Sequence, residues 1–150
     1  MGDIGTHAEN LSEYITGLRI VELCADLTTF VKGRQLDDDG NVLVRFQKGV
    51  RGVLHASQVS VGEDNALSFR IYGERKGLEW CQEEPNVLQV KRPNGPVELW
   101  SRGQGYVAEK SPAAVRASSL PAGHPEGFHE AFANVYRNAA DTIRARLAHS

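Results

Sequence analysis

The first sixteen to eighteen residues carry apolar side chains at Ile4, Ala8, Leu11, Ile15 and Leu18. That is the i, i+4, i+7, i+11, i+14 spacing of one helical face, and it predicts an amphipathic helix closed by Gly17. One residue behind this stripe, about 100° round the helix, runs a second one made of Asp3, His7, Asn10 and Tyr14. From there the period changes to two. Strands are expected in IVELCADLTTF, NVLVRFQ, GVLHASQVSV, ALSFRIYG, GLEWCQE, NVLQVKR and VELWSR. Val42, Val44 and Phe46 share one face of their strand and Leu43, Arg45 and Gln47 the other, while Leu67, Phe69 and Ile71 oppose Ser68, Arg70 and Tyr72. The links DDDGN, QKGVRG, GEDN, GERKG, EEPN and PNGP are turn chemistry and are too short for parallel crossovers. The pattern predicts an α+β fold, an open and mostly antiparallel sheet of six or seven strands with helices on one face. The other face, expected to carry Leu43, Leu54, Tyr72 and Trp100, is a candidate surface for another subunit.

Beyond the strands, GQGYVAEKSPAAVRASSLPAGHP is read as a long loop, and Pro125 and Glu126 as the start of a last helix. That helix has a strong apolar stripe: Phe128, Ala131, Phe132, Val135, Tyr136, Ala139, Ile143 and Leu147. A chain of 150 residues is expected to form a single domain over 1–150. Its formal net charge of -2, pI near 6.2 and scattered basic residues disfavour nucleic acid and anionic lipid as partners. No apolar run approaches the ~20 residues of a membrane span, and no signal peptide precedes the first helix, so a cytoplasmic location is expected. Cys24 and Cys81 are read as reduced, buried structural thiols.

Few patterns offer chemistry. GQGYVA fits G-x-G-x-x-A after a strand, but Pro112 and the small residues beyond it argue against the helix a dinucleotide loop needs. The run Asp37, Asp38, Asp39 resembles a calcium loop, but Phe46 stands where the closing glutamate belongs, so a solvated hairpin turn is preferred. His55, His124 and His129 have no zinc spacing, and no metal is expected. Ser57 and Ser60 lack a nucleophile elbow. Asp3 and His7 remain. At i, i+4 they are either a helix-capping acid beside a surface histidine or a carboxylate that orients an imidazole for proton transfer. Spacing alone favours the first.

GDIGTHAENLSEYITGL, the VRFQKGVRGVLHASQV hairpin, IYGERKGLEW and GHPEGFHEAFANVYRNAA together resemble the C-terminal domain of the glucose-fructose oxidoreductase / inositol dehydrogenase / MocA family, in the family's order and over nearly the whole chain. The resemblance implies a dihydrodipicolinate-reductase-like C-terminal domain whose open sheet forms a homo-oligomer interface. It implies that Asp3 and His7 match the family's catalytic pair, with His7 handling the proton of the hydroxyl being oxidised. Asn10 and Tyr14 are placed near the substrate by helical phase. NAD or NADP is the cofactor of the implied parent, a dehydrogenase acting on a sugar, cyclitol or related polyol. The family's Rossmann domain and its Lys-Pro motif are not found in this sequence, so the chain reads as truncated, with no cofactor expected on it and no activity alone. The alternatives are a stand-alone binding or assembly module that pairs through its sheet, and a catalytically dead paralogue. Substrate identity, NAD against NADP, and oligomer size are not legible in the residues.

Overall fold

The computed structural model describes residues 1–148. The chain forms two compact units, Met1–Phe69 and Arg70 onward. The first holds helix α1 (Ile4–Thr16), followed by strands β1 (Ile20–Thr28), β2 (Asp39–Phe46) and β3 (Arg51–Ser57), which build an antiparallel sheet in the order β1-β2-β3. The second is built on β4 (Ser68–Tyr72), β5 (Gly77–Cys81), β6 (Val87–Lys91) and β7 (Glu98–Ser101), again neighbours in chain order, with the unit boundary falling inside β4. Short helices α2 (Gly105–Lys110) and α3 (Pro112–Ala117) follow, then the long α4 (Phe128–Ala148). The fold is α+β with seven antiparallel strands, as the periodicity predicted, distributed over two open sheets.

The first unit follows from local pattern. Alternation in β2 buries Val42, Val44 and Phe46, and Met1, Leu18, Ile20 and Leu54 pack against them. Leu54 therefore lies on the core face, opposite Val42, and not on the outer face expected for it. Trp100 changes sides as well: it pairs with Leu88, two residues from the fully buried Val90, and so shares the inward face of its sheet. Both reassignments come from cross-strand register, which periodicity within one strand does not encode. Helix α1 ends at Gly17, left-handed at φ +66, whose N–H bonds the Glu13 carbonyl at 2.8 Å. The Glu13 carboxylate accepts from the Ile20 amide at 2.7 Å and from Arg19 at 2.5 Å, tying helix end to strand start, and these bonds hold its pKa below the usual range.

The acidic run is not a solvated turn. Asp38 is 2% exposed and accepts the amides of Phe30 (2.8 Å) and Val31 (3.0 Å), with Arg34 at 3.3 Å. These backbone bonds, the Phe30 amide foremost, hold its pKa below the ordinary carboxylate value. A depressed folded pKa means that the carboxylate stabilises the fold fully above about pH 3.9, and that the contribution is lost as pH falls through the folded value. Asp38→Asn is expected to melt at a lower temperature than the parent at pH 7, and the gap should close in acid, where the parent carries a neutral side chain too. A gap that stays constant with pH in circular dichroism melts would show that the charge is not what matters.

In the second unit, the segment read as a loop contains two helices. Pro112, taken as a breaker, sits at the first turn of α3, where its missing N–H costs nothing, and the Ser111 side chain caps that turn by accepting from Ala114 at 3.2 Å. Helix α4 begins at Phe128, later than expected, because Glu126 is used elsewhere. The buried Glu126 carboxylate accepts the amides of Ser119 and Leu120 and meets Arg102 at 3.3 Å. Asn86 Oδ1 takes hydrogen bonds from Arg102 Nε (2.8 Å) and the Glu126 amide (3.0 Å). Glu130 reaches back to the Gly127 amide at 2.9 Å and closes the first turn of α4. The α4 contacts with α3 are polar: Arg116 bonds Asn138 and Asp141, each at 2.8 Å, and Asn134 bonds the Ala117 carbonyl at 2.7 Å. Its large apolar side chains, from Phe128 and Phe132 to Ile143 and Leu147, are exposed.

Candidate functional site

Helix α1 buries one edge against β3 and turns the other outward. Ile4, Ala8, Leu11 and Ile15 are half-buried, while Asp3, Thr6, His7, Asn10 and Tyr14 are exposed, Tyr14 to 84%. All four residues singled out from helical phase thus fall on one continuous outward stripe. Thr6 joins them, and the sequence argument did not name it. Its hydroxyl donates to the Asp3 carbonyl at 2.6 Å, an i−3 contact that an N-terminal threonine can be read for.

Asp3 occupies the N-cap position with helical dihedrals (φ -87, ψ -76), and its side chain makes no capping bond. The capping role that spacing favoured is therefore not what its carboxylate does. Nor do the Asp3 and His7 side chains touch: among the described residues no hydrogen bond or ion pair joins them. They lie one helical turn apart, the separation at which a carboxylate and an imidazole come together through rotamer changes alone.

The remaining chemistry-bearing residues are dispersed. His55 Nδ1 lies 3.0 Å from Asn41 Oδ1 on the outer face of the first sheet, and Asn41 donates to Asp39 at 3.1 Å. His129 stacks edge-on against Phe128. No group of three or more His, Cys, Asp or Glu side chains among the described residues is placed to hold a metal ion. Cys24 is exposed, contrary to its apolar surroundings in sequence, because its partner Leu43 points away from the core. Cys81 is half-buried and donates to Glu83 at 2.8 Å, which pushes its pKa up. In the second unit, Lys76 and Lys110 each stand 5.6 Å from the Trp100 ring centroid. Asn86 and Arg102 escaped the sequence argument, and Glu126 entered it only as a helix start.

The GQGYVA segment does lead into a helix, so the ground on which it was set aside fails. A different observation separates it from a dinucleotide cradle. The preceding β7 pairs antiparallel with β6, the helix is six residues long, and among the described residues no parallel strand follows. Tyr106 instead pins this helix to β7, accepting from the Ser101 amide at 2.9 Å and donating to the Leu99 carbonyl at 3.2 Å.

Comparison with known proteins places this geometry. Residues 1–79 match the GFO/IDH/MocA C-terminal domain family. A crystal structure of an oxidoreductase from Sinorhizobium meliloti superposes with a TM-score of 0.90 and 48% identity, over 97% of this chain and 41% of that one. An inositol dehydrogenase homologue from Azotobacter vinelandii, solved with NADH and myo-inositol, gives a TM-score of 0.82 and 36% identity, over 89% of this chain and 35% of that one. The uncharacterized oxidoreductase YfiI of Bacillus subtilis (strain 168) is 32% identical over 148 residues, which cover 97% of this chain and 37% of that protein. The chain thus spans about two fifths or less of the length of each. Among the described residues, no helix is long and apolar enough to cross a membrane.

Proposed function

The chain belongs to the GFO/IDH/MocA C-terminal domain family, and from that premise we propose that it supplies the substrate side of an NAD(P)-dependent oxidoreductase acting on a sugar, cyclitol or related polyol hydroxyl. The observation that carries this reading is the outward stripe of α1, where a free carboxylate and an imidazole stand one turn apart, followed by Asn10 and Tyr14. Support for the substrate class comes from the inositol dehydrogenase homologue, whose structure holds NADH and myo-inositol.

His7 takes the role of acid/base, moving the proton of the substrate hydroxyl. Asp3, by accepting from one ring nitrogen, fixes the tautomer that leaves the other nitrogen facing the substrate. Asn10 and Tyr14 offer an amide and a phenol to neighbouring hydroxyls, donors and acceptors suited to a polyol. The nicotinamide cofactor would accept or return the hydride in the parent enzyme. The described residues contain no parallel βαβ unit that fits it, so this chain is assigned the proton transfer and substrate contacts only.

Two measurements test the reading. A fluorescence titration of the purified chain with NADH and NADPH, beside circular dichroism to establish folding, is expected to give no saturable binding. Saturable binding would place a nucleotide site on this chain and reopen the division of labour. The full-length parent, assayed by NAD(P)H absorbance on a panel of cyclic polyols and sugars, is expected to turn over at least one of them. A parent that binds NAD(P)H yet oxidises none of them would remove the proposed substrate class.

A further inference from the structure

Three stretches of the second unit meet at one indole ring. Trp100 lies near the end of β7, Lys76 in the turn between β4 and β5, and Lys110 at the last residue of α2. Both ammonium groups stand 5.6 Å from the ring centroid, within range of a cation–π contact, so they are no farther from each other than twice that distance. Each is held from its own side. The Gly73 amide donates to the Lys76 carbonyl at 2.9 Å and closes the turn, while Tyr106, edge-on to the indole at 6.4 Å, fastens α2 to β7. Beside Lys76, the turn residues Gly73, Glu74 and Arg75 border a concavity of about 570 Å³.

No acid is spent on these two lysines. Glu98, the carboxylate at the ring, has both oxygens engaged: Oε1 with Arg92 at 2.8 Å and Oε2 with the indole N–H at 2.9 Å. Glu79 takes Arg70 and Lys91. Among the described residues no ion pair reaches Lys76 or Lys110, and the hydrogen bond of the Lys110 ammonium is a long one, 3.4 Å to the Tyr106 carbonyl. The face of a ring attracts an ammonium charge but uses up none of its donors in strong hydrogen bonds. Two positive groups with donors to spare therefore converge where an anion can reach both. An ammonium group is a compact point charge without the planar fork of a guanidinium, which suits a tetrahedral oxyanion better than a flat carboxylate. We propose that Lys76 and Lys110, set around Trp100, bind a doubly charged phosphate group, either free or as a monoester. Two lysines at an exposed site are expected to hold it with roughly millimolar affinity, out of reach of a micromolar nucleotide titration. The proposal does not rest on the role given to His7, and its failure would leave that role untouched.

Indole fluorescence of the purified chain, titrated with potassium phosphate against potassium chloride at matched ionic strength, tests it. A saturable change at millimolar phosphate is expected, and it should disappear in Trp100→Phe, which leaves Trp80 as the remaining indole. Titration calorimetry gives a second reading that needs no indole. Lys76→Ala and Lys110→Ala should each weaken binding roughly 10-fold, and the double variant should abolish it. Both lysines are exposed, and circular dichroism checks each variant for folding. Glycerol phosphate, titrated in the same way, distinguishes the two sources: tighter binding than inorganic phosphate assigns the site to an ester, and weaker binding assigns it to the free ion. If neither compound gives a saturable change beyond that of chloride, the lysines only lay their stems along an aromatic ring, and the proposal is overturned. Binding that survives the double alanine variant, or a fluorescence change that persists in Trp100→Phe, would overturn it as well.

Discussion

Replacing His7 with alanine in the full-length parent is expected to lower turnover by a factor on the order of 10²–10⁴, the usual contribution of a positioned general acid or base. On the proposed roles the loss should fall on kcat more than on KM, because the imidazole would act on the proton in flight while Asn10, Tyr14 and the rest of the parent would hold the substrate. Stability should not move: His7 is exposed on the outer edge of α1, and surface substitutions of this kind stay within about 0.5 kcal/mol. Asp3→Asn keeps the shape and removes the charge proposed to orient the ring, so its cost should be smaller and should vanish in a His7→Ala background, the signature of two residues acting as one unit. Unchanged turnover in a folded His7→Ala parent would return Asp3 and His7 to the bland role of a polar helix edge.

The largest effect on stability is expected from Phe46→Ala. Phe46 is 6% exposed at the end of β2, where it completes the Val42, Val44, Phe46 row that Met1, Leu18, Ile20 and Leu54 pack against. Removing a buried phenyl ring takes about 3–5 kcal/mol, transfer and cavity terms together, out of a total that for a domain of ordinary stability is about 5–15. The surroundings have little means of closing the gap. Gly52 faces the ring with no side chain of its own, and a Cβ there would lie 3.1 Å from Phe46 Cε2 and 3.1 Å from Val44 Cγ2. The strand was built around the aromatic ring. Chemical denaturation of the parent chain and the variant measures the difference. A loss under about 1 kcal/mol would mean that the ring contributes far less than its burial implies. Leu43→Ala on the opposite face of the same strand should do little to the isolated fold, and the contrast between neighbours separates burial from side-chain size.

How much of this was legible in the residues depended on whether the relevant interaction was local. The seven strands, α1, its stop at Gly17 and the shared stripe of Asp3, His7, Asn10 and Tyr14 all follow from spacing within a single element. A helix repeats every 3.6 residues and a strand every 2, so the chain carries that information in order. The misreadings share the opposite character. Pro112 looked like a breaker until Ser111 supplied the cap that makes it a first-turn residue. Glu126 looked like a helix start until Asn86, Arg102 and the amides at 119 and 120 were brought to it from up to forty residues away.

What the sequence determined by itself, then, was the alternation of each strand, the phase of α1 and the membership of the chain in its family. Only the tertiary structure decided that the strands divide into two sheets, that Leu54 and Trp100 face inward, that Cys24 faces out and that Asp38 is a buried anchor for the Phe30 and Val31 amides. The physical reason is register. A strand's own alternation states which residues share a face, but the neighbour's position decides which of the two faces is covered, and a slip of one residue exchanges them. Asp38 marks the same limit for polar groups, since three successive aspartates have the same local chemistry and only the return of residues 30 and 31 gives one of them amides to accept.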